Sequence, residues 1–431
     1  MHTLSQLRSG ALQGATSLKL SEGLTVFPDE IFQLADTLEV LDLSGNKLSE
    51  LPHDFGRLWK LKILFCSDNI FTVLPEVIGH CKHLDIVGFK ANKITTVPAK
   101  SINSNIRWLI LTNNHITELP QEIGECARLQ KLMLAGNELQ TLPETLCKCS
   151  NLSLLRISAN QLTSIPEWLL SMPRLSWLAF SGNKFGVNRS NDNLPIIDWH
   201  SITAGEVLGE GASGIIYKAL LSTKHNEVAV KVFKGAVTSD GLPEDELRAF
   251  IAAGTHPGLV KIQGQITGHP EGRYGVVMEL IDTSFYNLGM PPSFQTCTRD
   301  VFAPDMQLSV YQVLRIAGTM ASVAGHLHNR GIMHGDLYAH NILVDDQGNA
   351  LLGDFGAASV YDRSDTHLAF ALERIEISAF GCLLDDLLQL CSNEHQIDIK
   401  AQLTNLKDEC MAEDVNVRPD FEYVCSVLNG I

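Results

Sequence analysis

Along the first half of the chain the apolar positions return at a fixed step. Leu38, Leu41, Leu43 and Asn46, and again Leu129, Leu132, Leu134 and Asn137, fall in the pattern L-x-x-L-x-L-x-x-N. The asparagine recurs at Asn46, Asn69, Asn92, Asn114, Asn137, Asn160 and Asn183, at spacings of 22 or 23 residues. A second marker, an apolar residue followed by proline, recurs at Pro28, Pro52, Pro75, Pro98, Pro120, Pro143 and Pro166. In the L-x-L stretch inward apolar residues alternate with outward variable ones, which predicts one short strand per repeat. An asparagine at a fixed place can hydrogen-bond the turn that follows, so rung stacks on rung. Seven rungs over roughly residues 15–187 exceed the ~3 needed for a continuous core. A degenerate unit at Leu18, Leu20 and Gly23 opens the array.

The outward strand positions are Glu39, Asp42, Lys62, Phe65, Lys90, Arg107, Trp108, Ile110, Met133, Arg156 and Trp177. Exposed Phe65, Trp108 and Trp177 among charges predict a protein-binding surface. Cys81, Cys126 and Cys149 each stand three residues before a repeat-opening leucine, which marks them as small apolar core residues and places the chain in a reducing, cytoplasmic setting. No run of residues is long and apolar enough for a membrane helix, and the N-terminus shows no signal-peptide pattern. Charge separates the halves. Residues 1–199 carry 18 Lys/Arg against 19 Asp/Glu, whereas residues 200–431 carry 15 against 30 and so most of the net charge of −16. Such an acidic half is a poor match for nucleic acid.

The polar stretch 190–200 ends the repeats, and the pattern changes to β-branched and aromatic runs broken by glycine. Leu208-Gly209-Glu210-Gly211-Ala212-Ser213-Gly214-Ile215-Ile216-Tyr217 carries a Gly-x-Gly-x-x-Gly core with strand-forming residues on both sides. That flanking favours a hairpin folded over phosphates, not the strand-to-helix turn of dinucleotide folds. Lys231 follows on the alternating strand Val228-Ala229-Val230-Lys231. The segment His334-Gly335-Asp336-Leu337-Tyr338-Ala339-His340-Asn341 precedes Asp354-Phe355-Gly356. Asp336 and Asn341, five apart, with a second carboxylate on the next hairpin, make a Mg²⁺–ATP site.

These motifs, in this order, resemble those of the eukaryotic-like protein kinases, and the repeats resemble leucine-rich repeats. The resemblance implies an α/β leucine-rich-repeat solenoid (horseshoe) over residues 1–189, a linker or cap over 190–200, and a two-lobed α+β kinase fold over 201–431. It further implies an ATP-dependent protein kinase, acting on serine or threonine. Asp336 would then be the catalytic base, Lys231 would sit on the ATP phosphates with Glu246 (or, second, Glu244) as its partner, and Asn341 and Asp354 would hold Mg²⁺, or Mn²⁺ in its place. Leu208, Gly209, Glu210, Gly211, Ala212, Ser213, Gly214, Ile216 and Ala229 would enclose the nucleotide, with Met278 as gatekeeper and Glu279 and Ile281 in the hinge. Glu373 and Arg418 would form a structural pair, with Phe380-Gly381 on the next helix. The repeats would recruit protein partners.

Several positions depart from the kinase pattern. Gly335 replaces the arginine before the catalytic aspartate, so no basic pocket awaits a phosphorylated loop, and activity without phosphate on Ser359, Tyr361, Ser364 or Thr366 is expected. Tyr338 and His340 stand where the family places a lysine or an arginine at the transferred phosphate, and Glu376 stands where an aspartate is usual. Only 19 residues separate Asp354 from Glu373. The same His-Gly-Asp loop also resembles small-molecule kinases of the aminoglycoside and choline type, and a pseudokinase scaffold is a third reading. The stretch Pro291–Asp300 after the hinge reads as a surface excursion, with a substrate or regulatory loop as the alternative, and Asp385-Asp386 reads as a solvated helix face. Repeats that restrain the kinase would make a 195–431 fragment more active than the full chain.

Overall fold

The computed structural model describes residues 2–186, 194–211, 213–222, 226–235, 237–392 and 397–431. Packing divides the chain into two compact units, Met1–Met172 and Pro173–Ile431. The boundary falls inside the repeat pattern, before its last strand.

The first unit is a parallel-stranded solenoid. After a short helix, α1 (Leu4–Arg8), seven three-residue strands stack in register: β1 (Ser17–Lys19), β2 (Val40–Asp42), β3 (Ile63–Phe65), β4 (Ile86–Gly88), β5 (Trp108–Ile110), β6 (Lys131–Met133) and β7 (Leu154–Arg156). The return path of most repeats is a 3₁₀ turn that starts directly after the recurrent proline, as at Glu76–His80, Gln121–Glu125 and Glu144–Lys148. Only the last return, α2 (Glu167–Leu170), is a full α-turn. Proline suits this place because a first helical turn needs no N–H there.

Each repeat asparagine of this unit is buried and bonds in two directions. Asn114 accepts from the Ile94 N–H at 3.0 Å, one rung back, and donates to the carbonyls of Phe89 at 2.9 Å and Leu111 at 3.0 Å. Asn46, Asn69, Asn92, Asn137 and Asn160 repeat the arrangement. The ladder thus closes the backbone groups that a strand-to-turn corner would otherwise leave unpaired. Cys126 and Cys149 are buried with their thiols aimed at the Asn103 and Ile123 carbonyls, and burial pushes both thiols up, to about 12 and about 11. Neighbouring outward charges pair across rungs, Lys19 with Asp42 and Lys62 with Glu39, while the Lys131 ammonium lies 4.2 Å above the Trp108 ring. Arg156, expected at the surface, is only 2% exposed.

The second unit opens with the final repeat strand, β8 (Trp177–Ala179). It continues into a sheet of β9 (Ile196–Asp198), β10 (Ile202–Glu210), β11 (Gly214–Leu221), β12 (Asn226–Phe233), β13 (Ile262–Thr267) and β14 (Gly275–Glu279). Their order is β10-β11-β12-β14-β13-β9, antiparallel except for β9 on β13. On β12 the alternation sends Val228, Val230 and Val232 into one core with Ile202, Leu221 and Val277. Ala229 goes to the opposite face with Val276 and Met278. By the same period Lys231 shares the Ala229 face. There it meets α3 (Pro243–Ala253), which opens on a proline and buries Glu246, Ala249, Phe250 and Ala253 at helical spacing.

The rest of this unit is mainly helical: α4 (Val310–Asn329), α5 (Thr366–Leu390), α6 (Ile397–Cys410) and α7 (Phe421–Gly430). Small ribbons flank α4: β15 (Tyr286–Asn287) with β17 (Ile342–Val344) and β18 (Ala350–Leu352), and β16 (Ile332–Met333) with β19 (Ser359–Val360). Glu373, expected ahead of the helix that carries Glu376 and Phe380, lies with them on the single helix α5. No proline interrupts residues 366–390, so nothing breaks the ladder of hydrogen bonds. Among the described residues no helix is long and apolar enough to cross a membrane.

Candidate functional site

The β10–β11 hairpin, β12, the β14 exit and the β17–β18 ribbon enclose a cavity of about 520 Å³. This volume suits a drug-sized or nucleotide-sized ligand. Leu208, Gly209, Ile216, Ala229, Lys231, Met278, Glu279 and Ile281 line it on one side, and Asn341 and Asp354 on the other. Glu210, Gly211 and Gly214 form the hairpin tip, where the Gly211 N–H meets the Gly214 carbonyl at 3.0 Å. A side chain at position 214 would put its Cβ 2.7 Å from the Val232 carbonyl oxygen, so glycine is required by the close strand. The nearby Ser213 is buried, its carbonyl accepting from the Lys234 N–H, and Glu210 pairs with the Lys234 ammonium. Ala212 lies outside the described residues.

Lys231 is 5% exposed and donates to Glu246 at 2.5 Å and to Asp354 at 3.2 Å. Burial works against its charge, but the two carboxylates outweigh it and raise its pKa. Burial likewise works against ionisation of Asp354, and Lys231 beside it holds that carboxyl below its usual range. Asp354 also adopts a left-handed backbone, φ 51°. A non-glycine residue keeps that conformation only where its surroundings impose it. Glu244, the second choice for the Lys231 partner, faces elsewhere, with Arg248 and Tyr274.

The loop between β16 and β17 brings Asp336 and Asn341 together. Asn341 Nδ2 donates to the Asp336 carboxylate at 2.8 Å and to its carbonyl at 2.9 Å. The loop hangs from Glu376, which accepts from the backbone N–H groups of His334 at 3.1 Å and Gly335 at 2.7 Å and from the His328 ring at 2.8 Å. Burial opposes ionisation of Glu376, but His328 outweighs it, so its carboxyl lies below the usual range. Glutamate reaches where the shorter aspartate is usual, and the longer side chain still spans both N–H groups.

Oxygen ligands for a hard cation are present. The Asp354 carboxylate opens onto the cavity at 47% exposure. Asn341 spends its NH₂ on Asp336, which leaves its Oδ1 without a donor among the described residues. A carboxylate and an amide oxygen with room for water match Mg²⁺, and equally Mn²⁺.

Four placements depart from the sequence reading. Arg418 does not pair with Glu373. Its guanidinium donates to the carbonyls of Ala412 at 2.8 Å, Arg374 at 3.1 Å and Pro173 at 2.5 Å, while Glu373 accepts from the Phe421 N–H at 3.0 Å. Burial pushes the Arg418 guanidinium down, to about 10. Trp177 is not exposed but 2% accessible, stacked on Tyr338. Asp385 and Asp386 are not a solvated face, since Arg299 bridges both, at 2.8 and 2.5 Å. The stretch holding Arg299 is likewise no free excursion. Asp300, which sequence reasoning passed over, is 6% exposed and binds the His340 N–H at 2.9 Å and the His340 ring at 2.8 Å. No local pattern marks Asp300. Its partner is 40 residues away.

Gly335 has φ +72°, and a Cβ there would lie 2.6 Å from the Leu178 carbonyl oxygen and 2.8 Å from that of Ala357. The final repeat strand and the Asp-Phe-Gly segment therefore leave no room at position 335 for the arginine of the kinase pattern. Ser359 and Tyr361 are buried.

Residues 202–378 match the family model of the protein tyrosine and serine/threonine kinases. Residues 104–162, 127–185 and 37–58 match leucine-rich-repeat models. A probable serine/threonine-protein kinase of Dictyostelium discoideum is 32% identical over 38% of this chain and 10% of its own length. A probable L-type lectin-domain receptor kinase of Arabidopsis thaliana is 34% identical over 37% of this chain and 14% of its own. The matched stretches span between 10% and 24% of the first such relatives. A solved leucine-rich-repeat protein of Leptospira interrogans is 28% identical over 40% of this chain and 50% of its own, with a TM-score of 0.33.

Proposed function

We propose that this chain, in which leucine-rich repeats precede a protein kinase domain, transfers the γ-phosphate of ATP to serine or threonine hydroxyls of a protein that the repeats recruit. The observation that carries the reading is Lys231, bonded at once to Glu246 and to Asp354 at the wall of the nucleotide-sized cavity. A buried cation held by two carboxylates at a cavity wall favours a phosphate-binding site over a purely scaffolding role.

The adenine would lie between Ala229 and Met278, with the backbone of Glu279 to Ile281 as its hydrogen-bonding edge, and the Gly209–Gly214 hairpin would cover the phosphates. Lys231, held by Glu246, would neutralise phosphate oxygens. Asp336, oriented by the Asn341 amide, would accept the proton of the acceptor hydroxyl as it attacks in line. Asn341 Oδ1 and the Asp354 carboxylate would hold Mg²⁺ or Mn²⁺, which supplies charge neutralisation for the triphosphate. With glycine at 335 and Ser359 and Tyr361 buried, the loop needs no phosphate to be ordered. This is the behaviour of kinases that lack the arginine before the catalytic aspartate. We place the chain in the cytoplasm, in keeping with its ten free cysteines. On the strand face of the repeats, half-buried Phe65 and Trp108 among charges suit a protein partner.

The test is phosphoamino-acid analysis of a basic acceptor protein incubated with the purified chain, labelled ATP and Mg²⁺. Label on serine or threonine, lost in Lys231→Met, is the expected result. Label on tyrosine alone would overturn the acceptor assignment. Transfer to small hydroxyl compounds and to no protein would favour the small-molecule kinase.

A further inference from the structure

Within the second unit the final repeat strand lies against the catalytic loop and not against solvent. The Trp177 indole stacks flat on the Tyr338 ring, with centroids 4.3 Å apart and planes 8° from parallel, and both residues are buried. Its Nε1 donates to the Leu337 carbonyl at 3.3 Å. Leu337 and Tyr338 directly follow Asp336. The Tyr338 ring also lies 5.0 Å from the His340 ring, which Asp300 fixes.

Residues flanking the same strand secure the surroundings. The Ser176 and Ser378 hydroxyls meet at 2.9 Å, tying the strand to α5. The N–H groups of Phe180 and Ser181 donate to Ser359 Oγ at 2.9 and 3.0 Å, tying it to the segment after Asp-Phe-Gly. That segment is short, with α5 already under way from Thr366. Kinases that order this region by phosphorylation use an arginine where Gly335 stands, and Gly335 leaves no room for one.

We propose that Trp177 is a positioning residue for phosphate transfer, holding Asp336 and Asn341 in place by its stack on Tyr338. The inference rests on the kinase reading for its catalytic consequence, but not for its structural one. Removal of the indole leaves a void against Tyr338 and frees the loop on that side. Displacements of about 1 Å at reacting groups can cost on the order of 10²-fold in rate. Apart from His340 and Asn341, the nucleotide cavity is walled by other elements.

The experiment compares full-length Trp177→Ala, Trp177→Phe and Ser378→Ala with wild type, in steady-state transfer and in amide hydrogen exchange over residues 334–341. For Trp177→Ala we expect kcat down about 10- to 100-fold with KM for ATP within about 2-fold, and faster exchange of the loop amides. Trp177→Phe restores most of both. Ser378→Ala loosens the same interface away from the loop and leaves kcat and loop exchange near wild type. Unchanged kcat and exchange in Trp177→Ala would overturn the proposal, as would an equal loss in Ser378→Ala. Wild-type chain that transfers no phosphate to any acceptor would refute the kinase reading, and loop exchange alone would then decide the role of Trp177.

Discussion

Replacing Gly335 by alanine adds one methyl group, and the structure allows its cost to be estimated. The backbone there is left-handed, φ +72°, which penalises an L side chain by about 1–2 kcal/mol. The new Cβ would also stand 2.6 and 2.8 Å from two backbone carbonyl oxygens, those of Leu178 and Ala357, neither of which is a flexible side-chain end. Overpacking of this kind costs a further ~1–3 kcal/mol. The expected loss is about 2–5 kcal/mol, or a fall in Tm on the order of 5–15 °C for a domain of this size. Gly272 supplies the control, since it has φ +67° with nothing within 4 Å of an added Cβ. Gly272→Ala should show the conformational penalty alone, about 1–2 kcal/mol. Thermal unfolding followed by circular dichroism measures both. A Gly335→Ala chain no less stable than Gly272→Ala would refute the close approach of the repeat strand to the catalytic loop. Gly335→Arg, which restores the family residue, should be worse still and should not gain activity.

Three further outcomes follow from particular contacts. A fragment starting at residue 195 lacks Trp177, Leu178 and Phe180, all buried. Burial of each such side chain contributes ~1.5–3 kcal/mol, so the fragment should unfold or aggregate and transfer less phosphate than the full chain, whereas one starting at 173 should fold cooperatively; size-exclusion chromatography and a transfer assay distinguish them. This reverses the expectation that removing the repeats would release activity. Glu376 has its carboxyl depressed in the folded state, so its stabilisation is present above the unfolded value of about 4.3 and is lost as the pH falls through the lower folded value. Tm should therefore drop more steeply between about pH 5 and pH 3 in wild type than in Glu376→Gln, and parallel curves would count against the buried carboxylate. Asn114→Ala leaves the Ile94 N–H unpaired in the solenoid interior, while the Phe89 and Leu111 carbonyls keep the bonds they accept from Asn92 and Asn137. Urea unfolding should report a loss of about 1–3 kcal/mol for the first unit.

The repeats were legible in the sequence because their determinants are local and periodic: a leucine and asparagine spacing encodes a strand, a corner and the bonds between rungs. The cavity was legible for a related reason. Gly209, Lys231, Asp336, Asn341 and Asp354 each belong to a short motif, and the β12 alternation alone aims Lys231 at the Glu246 face. Trp177, Asp300 and Arg418 were not legible. Trp177 obeys the outward-facing rule of its repeat, yet it is buried against Leu337 and Tyr338, distant in sequence. Asp300 and Arg299 sit in a polar, proline-led stretch that reads as a loop until His340 and α5 are seen to claim them. Arg418 meets three carbonyls, including that of Pro173, where a carboxylate partner was expected. Pairing rules carried from a family fail where a short activation segment and an added repeat strand rebuild the neighbourhood.

The central claim is that Lys231, Asp336, Asn341 and Asp354 form a working phosphate-transfer site that needs no loop phosphorylation. The most direct measurement is transfer from γ-labelled ATP by full-length chain pretreated with phosphatase, with Mg²⁺ and a basic acceptor protein, beside Asp354→Ala. Label on the acceptor is expected with the treated wild type and none with Asp354→Ala. Treated wild-type chain that binds ATP but moves no label, or equal label from Asp354→Ala, would contradict it.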